Sequence, residues 1–417
     1  MKQQSAVTIA AHVRPGESAA LDELLRSMGD GVANGSVLDL GALSEVHFAR
    51  LFLLDETTDL DGKPVPASLV YLSDFDVSRD EHLAELAQAP GLDEVFGRCE
   101  GYAPGDRLGF LRAHVVSEQA RYVNTPGRGV QQIRREDALR EALERFLDER
   151  GAYLDGVDPV AVRDEIVRYV GENDSLAWAL EPEPRPTLGW SVREAAHLIL
   201  IPFGLLLISP LLLVAAPFYA ILLRRHEKAD VAEDATPDEE TVQTLAALED
   251  HVVQNPFTAI GFVKPGPFRR MTILGVLNGI AYAVRHVFNR GSLAGVKTIH
   301  FARWVFVDDG RRVFFASNYD GSLESYMDDF IDQISWGLNL VFSNGYGFPK
   351  ARWLVLDGSR DELAFKHYLR RHQVPTHVWY SAYPRLSAAN VARNEQIRNG
   401  LRGGMGREEA AQWLQLL

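Results

Sequence analysis

The chain repeats one succession of sequence segments in its two halves. VHFAR at positions 46–50 returns as IHFAR at 299–303, and SLVYLSDFDVS at 68–78 corresponds to RVFFASNYDGS at 312–322. Further matched segments follow in the same order in both halves. Chance does not preserve such an order, so the sequence predicts two copies of one structural unit.

Each copy is predicted to have the element order strand, helix, strand, strand, helix, strand. The strand predictions depend on short runs rich in β-branched and aromatic residues. A βαββαβ unit of the ferredoxin-like type forms a sheet with one face covered by helices and one bare face. Two such bare faces can bury each other within one chain. The sequence therefore predicts an α+β fold made of two tandem ferredoxin-like repeats.

This arrangement resembles the dimeric α+β barrel superfamily, in which paired ferredoxin-like sheets enclose a cavity. The superfamily includes dye-decolourising haem peroxidases and chlorite dismutase. The resemblance covers residues 6–143 and 257–401 and is one of architecture. It implies a pseudo-dimeric barrel, an oxidoreductase activity and a bound haem. The GxxDG signature of the peroxidases has only approximate counterparts, in GAYLDG and SNYDG.

A long apolar run separates the two copies. Residues 198–223 contain no charged side chain, a length that favours membrane insertion over a buried helix hairpin in the core. A single crossing would place the copies in different compartments, where they could not share a barrel. We therefore predict a membrane-inserted hairpin over 197–226 that turns near Ser209 and Pro210. Positive residues on both flanks predict attachment to the cytoplasmic face of a membrane.

The other segments and the composition complete the expected organisation. The predicted units are repeat 1 (1–150), a helical and proline-rich linker (151–196), the membrane segment (197–226), an acidic linker with a helix (227–256) and repeat 2 (257–417). The net charge of -14 argues against nucleic acid as a partner. The single cysteine, Cys99, cannot form an internal disulfide, which favours a reducing compartment.

His47 and His300 occupy equivalent positions on the predicted central strands. Such a histidine could ligate haem or act as a general base, or it could pack and form hydrogen bonds where the two sheets meet. Arg50 and Arg303 follow three residues later, so strand alternation predicts that they lie on the opposite face from the histidines. These four residues are the first candidates for a catalytic site, together with Tyr380.

Asp76 and Asp320 end the next strand of each copy and have two predicted roles. Each could pair with a buried arginine, or each could cap the helix that follows it. Cys99 could be a reactive thiol, although a lone cysteine is more often an inert apolar residue. The sequence has no CxxC, HExxH or GxSxG string, so no metal site is predicted.

The histidine-rich second copy supplies the candidates for holding a haem. In the superfamily that the chain resembles, the axial histidine belongs to the C-terminal copy, which implies His300, His377 or His367. An alternative for His367 is a solvated basic helix face near a membrane surface.

Two functions follow from these observations. One is a membrane-associated oxidoreductase, haem- and peroxide-dependent, that takes a small apolar or lipid-derived substrate into the barrel. The other is a non-catalytic protein that binds membrane lipid or acts as a membrane scaffold.

Overall fold

The computed structural model describes residues 4–31, 37–43, 45–154, 156–182, 187–251 and 253–417. Its fold is mixed α+β. The longer strands are β1 Ser5–His12, β2 Val46–Leu54, β3 Ser68–Phe75, β4 Glu118–Val123, β5 Gln254–Phe262, β6 Ile299–Val307, β7 Arg312–Asp320 and β8 Val378–Ser381. The helices are α1 Ser18–Gly31, α2 Arg79–Gln88, α3 Leu92–Phe96, α4 Arg107–Ala113, α5 Val130–Leu154, α6 Pro159–Glu172, α7 Leu188–Ala229, α8 Glu239–Ala246, α9 Pro267–His286, α10 Leu323–Phe342, α11 Glu362–His372, α12 Ala388–Gly400 and α13 Arg407–Leu414.

The longer strands form two antiparallel sheets that face each other. Sheet one has the order β1-β3-β2-β8, and sheet two has the order β4-β6-β7-β5. In β2, Leu51 and Leu53 pack under helices α1–α4, whereas Phe52 and Leu54 pack against β6 and β7 of sheet two. Since both faces of β2 are covered, all of its residues are buried.

The last strand of each half lies in the sheet of the other half. Strand β4 joins sheet two, and β8 joins sheet one. Just before these strands the chain still pairs with its own half, because Val116 donates a hydrogen bond to the carbonyl of Thr8 and Val374 donates one to the carbonyl of Thr258. The prediction that each half completes its own sheet is therefore wrong for the last strand. Crossing over pairs edges that would otherwise be open.

A β-bulge at each strand histidine changes which residues face the second sheet. The register shifts at His47 in β2 and at His300 in β6. One extra residue inverts the alternation of side chains, so each histidine faces the opposite sheet together with Arg50 or Arg303. The ring of His47 lies 5.2 Å from that of Phe301. The predicted placement of histidine and arginine on opposite faces is therefore wrong.

Two buried arginines cross between the sheets in equivalent ways. Arg50, from sheet one, donates to backbone carbonyls of sheet two, and Arg303 donates to backbone carbonyls of sheet one. The acceptors are Phe257 (2.9 Å) and Ser317 (2.6 Å) for Arg50, and Val7 (2.9 Å) and Ser73 (3.1 Å) for Arg303. Each half thus satisfies backbone groups of the other.

The equivalent arginines differ in the side chain that faces them. Arg303 forms an ion pair with Asp74 (2.5 Å), whereas Arg50 donates to the amide oxygen of Asn318 (2.6 Å). Burial, together with the charge of Arg303, lowers the pKa of Arg50 to about 9. The prediction that Asp76 or Asp320 pairs with an arginine is replaced by this arrangement.

Helix α7 carries the apolar run as one uninterrupted helix. It contains Pro202, Pro210 and Pro217 and does not reverse near Ser209, so the predicted hairpin is wrong. Each proline removes one backbone donor, and a helix absorbs that loss as a kink. At 1.5 Å per residue the 42 residues extend over about 63 Å. It is long and apolar enough to cross a membrane.

Both ends of the apolar run contact helix α9. Tyr282 donates a hydrogen bond to the carbonyl of Leu198 (2.9 Å), and the hydroxyl of Tyr219 lies 3.2 Å from that of Thr272. Between these contacts α7 covers about 31 Å, whereas α9 covers about 15 Å. The two contacts are thus about twice as far apart along α7 as along α9. None of its most apolar 18-residue window is buried.

The C-terminal end of α7 is also tied to the second half. Glu227 accepts backbone hydrogen bonds from Trp353 (3.1 Å) and Leu354 (2.9 Å). Asp230 forms ion pairs with Lys264 (2.7 Å) and Arg269 (2.5 Å). Elsewhere, α5 and α6 pack with α12 and α13 around a separate apolar core, so part of the predicted linker at 151–196 is helical.

Replacing Arg303 with methionine tests the crossing between the sheets. We expect Arg303→Met to lower the free energy of unfolding by about 3–5 kcal/mol, because buried Asp74 loses its close cation and keeps only Arg121, at 4.0 Å. Adding Asp74→Asn should recover part of that loss, because position 74 then carries the same residue as its equivalent in the second copy, Asn318. Urea denaturation measures both values.

A surface arginine supplies the control for this test. Arg393, whose side chain is 41% exposed, lies 3.5 Å from Glu144, and Arg393→Met should change the free energy of unfolding by no more than about 1 kcal/mol. Equal losses for Arg303→Met and Arg393→Met would contradict the proposed importance of the crossing.

Candidate functional site

The predicted site residues meet between the sheets, but each histidine has a structural partner. His47 Nε2 lies 2.8 Å from Asp76 Oδ1, and its Nδ1 lies 2.9 Å from the hydroxyl of Tyr383. His300 Nε2 lies 2.6 Å from Asp320 Oδ1. Burial raises the pKa of Tyr383 well above its ordinary value, so this hydroxyl stays protonated.

The two aspartates hold the starts of helices that are distant in sequence. Asp76 Oδ2 accepts from the backbone N–H of Val130 (2.6 Å), and Asp320 Oδ2 accepts from that of Ala388 (2.7 Å). These groups begin α5 and α12, where backbone donors lack partners within the helix. The prediction that the aspartates cap the next helix is wrong, because Ser78 and Ser322 do so. Each histidine–aspartate pair therefore connects a strand of the sheet to the start of a helix.

Little space remains between the sheets around these residues. The cavity bounded by Phe48, Arg50, Phe301 and Arg303 has a volume of about 10 Å³. That is room for one water molecule. A haem does not fit there. The Nε2 atoms of His47 and His300 are already hydrogen-bonded to Asp76 and Asp320. The cavity expected from the resemblance is filled by the two arginines.

The other predicted residues lie apart from this cluster. His377 Nε2 is 2.9 Å from Asp22 Oδ1, on the side of sheet one that α1 covers. Burial lowers the pKa of His377, and the hydrogen bond to Asp22 opposes that shift. His367 is half-buried on α11. Tyr380, on β8, has its hydroxyl 3.4 Å from Arg134. None of these three hydrogen-bonds to His300, although Tyr380 packs against the apolar cluster that contains Phe48 and Phe301.

Two further groups of reactive side chains have simple explanations. Cys99 is buried, and burial raises the pKa of its thiol to about 12, which keeps the thiol protonated. Glu324, Asp328 and Glu362 cluster as metal ligands could, but the ammonium group of Lys366 lies 2.6 Å from each of them. This cation occupies the position that a metal ion would take.

A larger cleft lies beside the start of the apolar run. Its volume is about 1160 Å³, and it is lined by the first turns of α7, the end of α9, the loop 123–128 and part of α12. Trp190 and His197 contribute from α7, and Ala281 and Val284 from α9. Residues of both halves and of helix α7 therefore form the cleft.

A buried glutamine fixes the loop that forms one wall of the cleft. Gln4 donates from Nε2 to the carbonyls of Thr125 (3.1 Å) and Arg128 (2.8 Å), and its Oε1 accepts from the N–H of Gly127 (2.9 Å). Gly127 has φ +87°, a left-handed conformation that favours glycine. These contacts hold Arg128 at the wall of the cleft.

Positive charge dominates the cleft. Five arginines and two glutamates line the cleft, so these side chains give it a net charge of +3. The arginines are Arg121, Arg128, Arg193, Arg285 and Arg290. Arg285 pairs with Glu194, and Arg128 pairs with Glu395 and with buried Glu136 (3.4 Å). Arg121 lies 3.9 Å from Glu118. Among the described residues, Arg193 and Arg290 have no ion-pair partner, and Nη1 of Arg128 is buried without a hydrogen-bond partner. Two arginines without an ion pair among the described residues therefore lie in one cleft of a chain whose net charge is -14.

A histidine pair joins α7 to α9 at the edge of the cleft. His197 Nδ1 lies 2.6 Å from His286 Nε2, so one ring donates a hydrogen bond to the other. Burial lowers the pKa of His286, and neighbouring His197 and Arg285 lower it further. The hydrogen bond between the two rings is therefore favoured at pH values above the lowered pKa of His286, and it weakens as the pH falls through that pKa.

The sequence analysis missed the cleft, although the repeat contained a signal for it. When residues 122–143 are aligned without a gap with residues 380–401, Arg128 corresponds to Leu386 and Thr125 to Tyr383. Gln254 holds the second loop as Gln4 holds the first, by donating to the carbonyls of Tyr383 and Leu386. The scaffold is therefore repeated, whereas the cation is present in one copy only.

Comparison with protein-family models, with curated proteins and with solved structures finds no match for this chain.

Chemical labelling tests the state of Cys99. Because its thiol is buried and protonated, we expect iodoacetamide at about pH 8 to leave the native protein unmodified. The same reagent should modify Cys99 fully in guanidinium chloride. Mass spectrometry measures both. Stoichiometric modification of the native protein would show that the thiol is accessible and reactive.

Proposed function

We propose that the protein is a non-catalytic lipid-binding protein that helix α7 attaches to one side of a membrane. One observation carries this proposal: the middle of α7 is exposed on all sides while both of its ends are held by the same globular part. Leu206, Leu213 and Phe218 are 67%, 73% and 72% exposed. Apolar surface of this extent is costly in water, at about 25 cal/mol per Å², and is stable in hydrocarbon.

The attachments of α7 favour placing both halves of the chain on one side of the bilayer. A straight crossing would separate the two ends of the run by the thickness of the hydrocarbon, about 30 Å. Contacts of Leu198 and Tyr219 with the single helix α9 are incompatible with that separation. Arg193 before the run, and Arg224 and Arg225 after it, favour the cytoplasmic face.

We further propose that the two halves are ferredoxin-like repeats that close into one pseudo-dimeric α+β barrel. The reciprocal placement of β4 and β8 supports this. So does the pairing of residues 114–116 with β1 and of 373–374 with β5, because these segments connect the edges of the two sheets.

The filled space between the sheets favours lipid binding over an oxidoreductase. Arg50 and Arg303 occupy the volume that a substrate or cofactor would need, and Asp76 and Asp320 engage the candidate histidines. The larger cleft lies outside the sheets, next to α7.

Flotation with phosphatidylcholine vesicles tests attachment through α7. The variant Leu206→Asp/Leu213→Asp should float at least about 100-fold less than the native protein, because each aspartate costs roughly 2.5–3.5 kcal/mol in a membrane-embedded helix. The control Gln412→Asp/Gln415→Asp carries the same charge change on exposed positions of the C-terminal segment and should float normally. Undiminished flotation of the first variant would refute the attachment.

Cysteine labelling tests whether both ends of α7 lie on one side. Asp174 and Asp234 are exposed and flank the helix, and the native Cys99 is buried. In sealed membrane vesicles, a membrane-impermeant maleimide should label Asp174→Cys and Asp234→Cys to the same extent. Labelling of one position and protection of the other would establish a crossing helix and contradict the proposed topology.

A further inference from the structure

We infer that the arginine-rich cleft binds the phosphate group of an anionic phospholipid. This inference rests on the proposed membrane attachment and names the ligand that the attached protein would hold.

The position of the cleft suits a lipid head group. Its α7 wall ends at His197, and the uncharged, exposed run begins at Leu198. If the run lies in hydrocarbon, the cleft lies at the depth of the head groups. Trp190 also lines it, and tryptophan is the residue type that favours this interfacial depth.

The charges of the cleft suit a phosphate. Guanidinium groups bind phosphate oxygens through paired N–H donors, and such charge-assisted bonds are stronger than neutral ones. Arg193 and Arg290 offer donors that form no ion pair among the described residues. Buried Arg128 is paired with Glu136 and Glu395, but its Nη1 has no hydrogen-bond partner. A bound anion would satisfy these groups, and no other residue of the described cleft does.

The cleft is also preformed and of suitable size. Gln4 fixes the loop that presents Arg128, so little ordering is needed on binding. Its volume of about 1160 Å³ exceeds that of an isolated phosphate and can take a head group with its glycerol. Ala281 and Val284 supply apolar wall for the start of an acyl chain.

Lipid retention in detergent tests the inference. The full-length protein is immobilised, incubated with equal amounts of phosphatidylglycerol and phosphatidylcholine, and washed, and the retained lipids are quantified by mass spectrometry. We expect the native protein to prefer phosphatidylglycerol about tenfold and the variant Arg193→Gln/Arg290→Gln to lose that preference. Both arginines are exposed, so their replacement should leave the fold intact.

A matched variant distinguishes the cleft from general attraction to anionic lipid. Arg225→Gln/Lys228→Gln removes the same charge at the other end of α7, outside the cleft, and should keep the preference. Equal loss in the two variants, or a native protein without preference, would overturn the inference. Flotation on phosphatidylcholine would remain intact in that case, which separates this failure from failure of the membrane attachment.

Calorimetry with glycerol phosphate identifies the source of the phosphate. Weak or no binding of this soluble probe, together with retention of phosphatidylglycerol, supports a lipid ligand. Tight binding that Arg193→Gln/Arg290→Gln abolishes would assign the cleft to a soluble phosphate ester and overturn the lipid part of the inference.

Discussion

Two guanidinium groups that cross between the sheets determine how the halves combine. Arg50 and Arg303 each find their backbone acceptors in the other half, so neither half can satisfy its own buried arginine alone. Only Asp74 supplies a carboxylate at these crossings, and burial lowers the pKa of Arg50 to about 9. The desolvation of two like charges is compensated by well-placed oxygens, which fixes the relative position of the sheets. The two side chains also fill the space between the sheets.

The repeat separates structural positions from candidate functional ones. The pairs formed by His47 and His300 with their aspartates occur in both copies and support the starts of helices. The glutamine that fixes each loop is repeated as well. Arg128, by contrast, corresponds to Leu386, which is buried in an apolar cluster. In the first copy, Arg128 lines the cleft and also forms an ion pair with the buried carboxylate of Glu136 (3.4 Å), so its charge stabilises the fold as well as contributing to the cleft.

Much of the α+β content could be predicted from the sequence, because strand composition and the order of repeated segments are local signals. The side of the sheet on which His47 and His300 lie could not be predicted, because one bulged residue inverts the alternation of side chains along the strand. The exchange of β4 and β8 depends on edges that meet only in three dimensions. The hairpin prediction failed because proline can kink a helix without ending it.

The exchange of strands also restricts how an apolar helix can be inserted between the halves. Strand β4 precedes α7 in the chain and β8 follows it, yet each lies in the sheet of the opposite half. Both halves must therefore be on the same side of a membrane before either sheet is complete. A helix that crossed the bilayer would prevent this, whereas one that enters and returns to α9 permits it. The contacts of both ends of the apolar run with α9 agree with this requirement, and the arginine-rich cleft forms where the run begins.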